Sequence, residues 1–483
     1  MTSLRKIVRT ATSAPQAAAA PRGQIAQELT ETVKLALPMA LTQLGQIAMM
    51  TTDLAFIGRL GNEAVAAAAL AGTVYFVSFT FGMGLVSAVA PLAAQAFGAR
   101  DPRSVRRSLR TGLWAALLIS VPIMMFPLSG ERILLALGQE PAAADLAQHY
   151  LSGLVWGVAP ALWFLAIRSF LGALNRPEPA LWIMLAAIPA NALLVYLLIY
   201  GAWGLPRLGL FGAGLATTIV NFGTFIAGLW FATCRAPFRK YHVLGHIWRI
   251  DWSVMRRLVA IGAPISMAFL LEYGLFSAAA LLMGLISTTA LAAHQVALQV
   301  TAILYMVPFG ISMAATVRVG HALGRGDSAA VKRAGFVAIA LGIALVAALT
   351  LAVIAGRFAI ARLFFGTDAS ANAAVELSAT LLLIGATFFV ADGVQSIAAG
   401  SLRGINDTRV PLLFAGIGYW LVGFTTACLL GFHTTLGAVG VWIGLSCGTA
   451  VYATLLVWRF HSLANSLRSM MKIREVAPLD SKV

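Results

Sequence analysis

Long apolar runs recur along the chain, separated by short stretches of charge and of Gly and Pro. They fall at 34–57, 66–97, 109–129, 148–172, 180–200 and 209–233, then at 258–285, 292–322, 333–355, 375–400, 410–430 and 436–460. Each is about the 20 residues that a helix needs to cross the hydrocarbon. They are too long for strands and lack the period-2 alternation of an outer-membrane barrel. The pattern predicts an all-α membrane protein of twelve transmembrane helices in two six-helix bundles. The organisation that follows is a tail over 1–33, a first bundle over 34–233, a basic linker over 234–257, a second bundle over 258–460 and a tail over 461–483.

The two halves repeat at an offset of 226. Pro38 matches Pro264, Gly58 matches Gly284, Gly84 matches Gly310, Asp101 matches Asp327 and Arg107 matches Arg333. SFLGALNRPEP (169–179) echoes SLRGINDTRVP (401–411). A repeat of six spans preserves orientation. The halves are therefore expected to be related by a pseudo-two-fold axis along the membrane normal, as in transporters whose site lies at a repeat interface.

Composition fits this reading. Residues are 60% hydrophobic and 11% charged, with mean hydropathy +0.86, against about 25% charged in a soluble domain. The formal charge of +16 would suggest nucleic acid in a soluble chain, but here it sits between apolar runs and no nucleic-acid partner is implied. If both tails share one side, the other side keeps only Arg59, Arg132, Arg207, Arg357 and Arg362 of the 34 Lys and Arg. The positive-inside rule makes the rich side cytoplasmic, in a multi-pass protein of a bacterial inner membrane. Residues 1–30 carry no apolar h-region and read as a cytoplasmic tail, not a secretory signal. Cys234, Cys428 and Cys447 form no CxxC or metal spacing. Walker A and HExxH motifs are missing, so neither ATP-driven export by this chain nor an enzyme is indicated, and no cofactor is implied.

Three acids lie deep in apolar runs: Asp53 in MTTDLAF, Glu272 in FLLEYGLF and Asp392 in FVADGVQS. A charge at the bilayer centre costs about 2.5–3.5 kcal/mol on insertion scales and marks a functional candidate. Such a carboxyl is stable with H⁺ or Na⁺ bound and unstable when empty. Each acid is thus an ion-coupling group or a carboxyl that fixes helix packing. Glu272 and Asp392 share the second half, and Na⁺ is a possible occupant there. Asp53 shares a helix face with Gln46. Asn191, His294, Gln295, Gln299 and Gln395 are polar candidates for a substrate cavity, or simple interhelical hydrogen-bonders. His294 is structural or a pH sensor. Pro38 and Pro264 open the first helix of each half, as hinges or as static kinks.

On ALAAHQVAL (290–298), ADGVQSIAAGSLRGIND (391–407), LLEYGLF (270–276) and TTDLAFIGRLG (51–61), the chain resembles the multidrug and toxic compound extrusion (MATE) family, in its NorM-type bacterial branch. The likeness extends from about 32 to 460. It implies export of small organic, often cationic, compounds by alternating access in exchange for Na⁺ or H⁺, by a monomer in the lipid bilayer. It places the family's cation-site acids on Glu272 and Asp392, and the first-half acid on Asp53. NorM-type proteins can carry Tyr one turn before the second-half Asp; here that position is Phe388, which leaves the coupling ion open. The competing readings are a lipid-linked precursor flippase of the same superfamily, a channel and a membrane-embedded enzyme. Acidic mid-membrane charge favours cationic cargo.

The arginine and lysine asymmetry predicts that reporter fusions at residue 483 and in the loop 98–108 both report cytoplasm. A periplasmic signal at either site would remove the even span count.

Overall fold

A computed structural model describes residues 21–204, 206–245, 248–366 and 372–476. The outermost parts of both expected tails, 1–20 and 477–483, lie outside the described residues, as do 246–247 of the linker. The described chain is helical, with no strand among the described residues. Twelve long helices carry the architecture. They are α1 (Pro21–Gly58), α2 (Asn62–Gly98), α3 (Pro102–Leu128), α4 (Pro141–Ala173), α5 (Glu178–Tyr200) and α6 (Gly209–Cys234). The second set is α7 (Trp252–Ile286), α8 (Thr288–Arg325), α9 (Ser328–Phe365), α10 (Asn372–Gly404), α11 (Arg409–Phe432) and α12 (Ala438–Val476).

Eleven of these are long and apolar enough to cross a membrane. The remaining one is α1, whose 38 residues suffice in length but whose apolar stretch is diluted by Gln43, Gln46, Thr51, Thr52 and Asp53. Helix α1 also begins at Pro21, well before the apolar run at 34. There Glu28, 8% exposed at its side chain, makes a bidentate ion pair with Arg318 of α8 at 2.8 and 2.9 Å. A paired charge needs no apolar sequence to be packed, which is why hydropathy alone starts the helix too late.

The chain divides into two compact units. One holds the chain up to Ala40, Gly98–Arg100 and the chain from Ala268 on; the other holds Leu41–Phe97 and Asp101–Met267. The dividing points fall inside α1 and α7, just after Pro38 and Pro264.

Within each unit, helices approach through small residues and bond through hydroxyls. In the Ala268 unit, α10 packs against α8, α9 and α12. Ser312 of α8 donates to the Ser396 carbonyl at 2.6 Å, and Thr316, one turn on, donates to the Gly400 carbonyl at 2.8 Å. A Cβ on Gly400 would stand 2.4 Å from the Ser312 carbonyl oxygen. The other unit repeats the device between α6 and α4. Thr218 donates to the Gly153 carbonyl at 2.8 Å and Asn221 to the Gly157 carbonyl at 3.4 Å. A Cβ on Gly153 would stand 2.4 Å from the Phe211 carbonyl oxygen. Lipid tails are as apolar as leucine, so such contacts, rather than water exclusion, hold spanning helices together.

The repeat is visible at the helix caps. Asp101 accepts from the Arg103 and Ser104 amides at 3.0 and 3.1 Å, and its partner by offset, Asp327, accepts from the Ala330 amide at 2.8 Å. Burial opposes ionisation of Asp101, but the Ser104 hydroxyl and both amides outweigh it and hold the carboxyl below its usual range. After α6, Phe238 and Tyr241 of the linker pack on the Phe170 ring of α4, with centroids 6.4 and 6.2 Å away. The linker's Asp251 accepts from the Ser253 hydroxyl at 2.7 Å and lies 3.5 Å from Arg107.

Gly400→Ala should cost about 1–3 kcal/mol through backbone overpacking. Gly223→Ala meets nothing within 4 Å and should be neutral, or stabilising by up to about 1 kcal/mol. Thermal unfolding of both variants in detergent checks this. Equal melting temperatures would show that the α8–α10 approach is not tight.

Candidate functional site

Helix α10 brings the second-half polar residues together because its small residues let neighbouring backbones close in. Asp392 is 4% exposed and Gln395, one turn later, 3%. The Gln395 amide donates to Asp392 Oδ1 at 3.0 Å and reaches Glu272 Oε1 of α7 at 3.4 Å. One amide thus bridges the two acids. Arg403, at the end of α10, lies within Coulombic reach of Glu272, with its guanidinium carbon 5.1 Å from the Phe269 ring centroid. Tyr305, Tyr419 and Tyr452 stand within the same reach of Glu272. Tyr419 sits in a π-helical stretch of α11, Gly416–Phe424, a geometry frequent at functional sites. With both carboxyls ionised, the two acids and Arg403 sum to one net negative charge, and the surrounding oxygens suit a hard cation.

In the other unit, Asp53 is 7% exposed. Asn191 of α5 donates a very short hydrogen bond to its Oδ1, and Thr217 of α6 donates to its Oδ2 at 3.1 Å. Asn191 is fully buried and its own Oδ1 has no partner. Side chains of three helices therefore meet at the Asp53 carboxylate, which accepts from an amide nitrogen and a hydroxyl. Gln46, two turns before Asp53, lies elsewhere: Arg168 Nη1 of α4 donates to Gln43 at 2.7 Å and reaches Gln46 at 3.5 Å. Gln46 and Arg168 line a cavity walled mainly by Met49, Phe79, Met83, Phe164 and Met184.

The other sequence candidates separate. His294 is fully buried and accepts from the Trp442 indole at 3.1 Å, with its Nε2 unpartnered. Phe388, 1% exposed, packs edge-on against Phe276, Phe389 and Trp442. Gln295 and Gln299 are exposed. Pro38 and Pro264 both lie inside continuous helices. Thr217, Arg168 and Arg403 were not singled out from sequence. Thr217 is an ordinary hydroxyl in an apolar run, and arginines near span ends read as topology signals. The offset of 226 gives no clue to them, since it pairs them with Ile443, Val394 and Pro177, although it sets Gln46 on Glu272 and Phe79 on Tyr305.

The fold, the paired halves and these intramembrane charges define a multi-pass membrane transporter. The MatE family model matches the chain twice, over residues 38–197 and 264–429, and the two matches begin at the same offset as the repeat. The chain belongs to the MatE family; it is a transporter and not an enzyme. It is 68% identical to the probable multidrug resistance protein NorM of Bradyrhizobium diazoefficiens, over 92% of this chain and 96% of that one. It is 59% identical to the probable multidrug resistance protein NorM of Rhodopseudomonas palustris, over 90% and 92%. Among solved structures, a multidrug resistance MATE family transporter of the MOP superfamily in its outward-facing conformation shares the fold. Its TM-score is 0.83 at 20% identity, over 93% of this chain and 99% of that one.

Gln395→Leu should leave the Asp392 carboxylate without its amide donor and cost about 1–3 kcal/mol. The loss should shrink in an Asp392→Leu background, where the amide has no acid to serve. Melting temperatures of the two single variants and the double variant test this, and strict additivity would sever Gln395 from the acid pair.

Proposed function

We propose that the chain is a multidrug exporter that drives organic cations out of the cell in exchange for Na⁺ or H⁺ by alternating access, with Glu272, Asp392 and Asp53 as the coupling groups. The observation that carries this reading is the acid pair bridged by Gln395. Two carboxylates against one arginine leave one negative charge in a membrane-spanning bundle. Leaving that charge bare is costly, and one monovalent cation removes it.

A coupling ion moves a conformational equilibrium only by binding the two states differently. Empty, the acids attract a cationic compound; occupied by Na⁺ or H⁺, they do not. The membrane potential adds about 2.3 kcal/mol per charge per 100 mV to inward cation movement. Asp53, held by the Asn191 amide and the Thr217 hydroxyl, offers a second buried carboxylate on the same principle. Pro38 and Pro264 lie next to the points where α1 and α7 pass from one compact unit to the other. Neither proline has an amide hydrogen to hold its preceding turn, which favours their reading as hinges. The names of the relatives support the multidrug reading; the ion rests on the chemistry of the acids alone.

Glu272→Gln and Asp392→Asn should express normally and lose gradient-driven dye efflux from proteoliposomes by at least about tenfold, the scale of one lost charge interaction. Imposing Na⁺ and H⁺ gradients separately identifies the ion. Normal pumping by both variants would return these acids to a packing role.

A further inference from the structure

The first turns of α3 carry more positive charge than the fold uses. Arg103, Arg106, Arg107 and Arg110 recur there at intervals of three and four residues, which sets them along one helix face. Arg110 is buried, 7% exposed, and Arg106, Arg107 and the linker's Arg249 all lie within Coulombic reach of it. Two acids share this end of the unit, and both are engaged in starting helices. Asp101 caps α3 and lies within Coulombic reach of Arg107. Asp251 accepts from the Ser253 hydroxyl at 2.7 Å and the Val254 amide at 3.4 Å at the start of α7, with Arg107 3.5 Å away. Among the described residues no carboxylate pairs with Arg106 or Arg249, and the Arg106 Nε is buried without a hydrogen-bond partner. Arg106, Arg107, Arg110 and Arg249 against Asp101 and Asp251 leave an excess of positive charge in one patch.

The repeat shows that the fold does not need this cluster. At the offset of 226, Arg106, Arg107 and Arg110 stand where α9 has Lys332, Arg333 and Phe336. There Lys332 donates to Asn465 at 3.0 Å and Arg333 donates to Gln24 at 2.8 Å. Phe336 packs on Phe460, with ring centroids 5.6 Å apart. The second half thus builds the same helix start with its cations answered and an aromatic ring in place of the buried arginine. A topology signal needs only charge on the loops; it does not call for an arginine packed beneath three others.

The neighbours of the cluster say what answers it. The linker returns over α3 here: a Cβ on Gly245 would stand 3.8 Å from Arg106 Nη1. Next along the linker, Trp248 and Trp252 flank Arg249 and Asp251 in sequence, 86% and 61% exposed. Indoles left open at the ends of spanning helices sit at the level of lipid headgroups. Guanidinium groups take phosphate in charge-assisted, two-pronged contacts, and basic pockets at the ends of spanning helices hold anionic headgroups. A free phosphate ion would have no use for the indoles.

We propose that Arg106, Arg107 and Arg249, with Arg110 beneath them, form a site for the phosphodiester of an anionic phospholipid. The bound headgroup neutralises the cluster and holds the linker between the two halves at the bilayer surface. The site uses none of Glu272, Asp392 and Asp53 and does not rest on the coupling scheme.

Native mass spectrometry of the purified, detergent-solubilised full chain reads lipid binding directly. The probes are phosphatidylglycerol and phosphatidylcholine with the same acyl chains, the first anionic and the second zwitterionic. The wild type should bind phosphatidylglycerol at least about tenfold more tightly. Arg106→Gln combined with Arg107→Gln should cut that preference by about tenfold, the scale of two surface charges, and change phosphatidylcholine binding by less than about twofold. Lys332→Gln combined with Arg333→Gln removes the same charge at the repeat-equivalent positions and should keep the preference. Arg249→Gln should cut it by about fivefold, and it carries the test if the first double variant is not monodisperse. No preference in the wild type would overturn the site. Equal losses in the two double variants would do the same, because general positive charge would then be the cause. Displacement of phosphatidylglycerol by millimolar inorganic phosphate would overturn the lipid assignment, since the ligand would then be a free anion.

Discussion

Hydrocarbon offers no hydrogen bonds, so every polar group inside the span must be answered by the protein itself. In this chain the answer is close approach. Ser312 and Thr316 reach carbonyls one helical turn apart on α10, and Thr218 and Asn221 do the same on α4. Each bond requires a glycine nearby, because the backbones come within the reach of a hydroxyl. Apart from these packing bonds stand buried acids, amides and arginines that meet one another, and the proposed transport chemistry is drawn from them.

The two halves show how such groups diverge after duplication. At the offset of 226, Gln46 stands where the second half has Glu272, and Phe79 stands where it has Tyr305. Both halves set this α1 or α7 position near an arginine from the fourth helix of the half, Arg168 or Arg403. In the second half the facing group is an acid, and a second acid, Asp392, is joined to it through Gln395. In the first half the facing groups are amides, and the acid lies two turns further along α1. The offset partner of Asp53 is Ala279, so that acid is not a shared inheritance of position. One unit concentrates its charges into a single cluster; the other holds an acid on α1 apart from an arginine on α4.

Much of this was legible in the chain. Apolar runs located all twelve long helices, the repeat gave the six-plus-six organisation, and rarity in an apolar run marked Asp53, Glu272 and Asp392. Failures had specific causes. Hydropathy is blind to paired charge, so it missed about the first three and a half turns of α1, which hold Glu28, the residue that Arg318 neutralises. Asn191 read as one polar residue among several, since nothing along the chain says that it meets Asp53 across 138 positions. Gln295 and Gln299 carry the right chemistry in the right helix, yet both are exposed, because neighbouring positions on a helix point about 100° apart and only some can face inward. His294, one position earlier, is sealed against Trp442.

The arginines illustrate the deepest limit. Counting Lys and Arg by side treats each as a vote on orientation, and for Arg257 that is its use. Arg168 and Arg403 sit only a turn or so inside their helix ends, and the same count absorbs them. What distinguishes them is their surroundings: Arg403 lies within Coulombic reach of Glu272 and would leave its cluster at minus one with both acids ionised, whereas Arg168 meets only neutral amides. With lysine in place of Arg403, the same net charge would be held by a group able to give up its proton when buried. An arginine fixes the count, so the number of cations needed for neutrality stays the same as the bundle changes its exposure to water. A fixed count is what an exchanger requires, since an ion can exert leverage on a substrate only through a site whose occupied and empty charges differ by a constant amount.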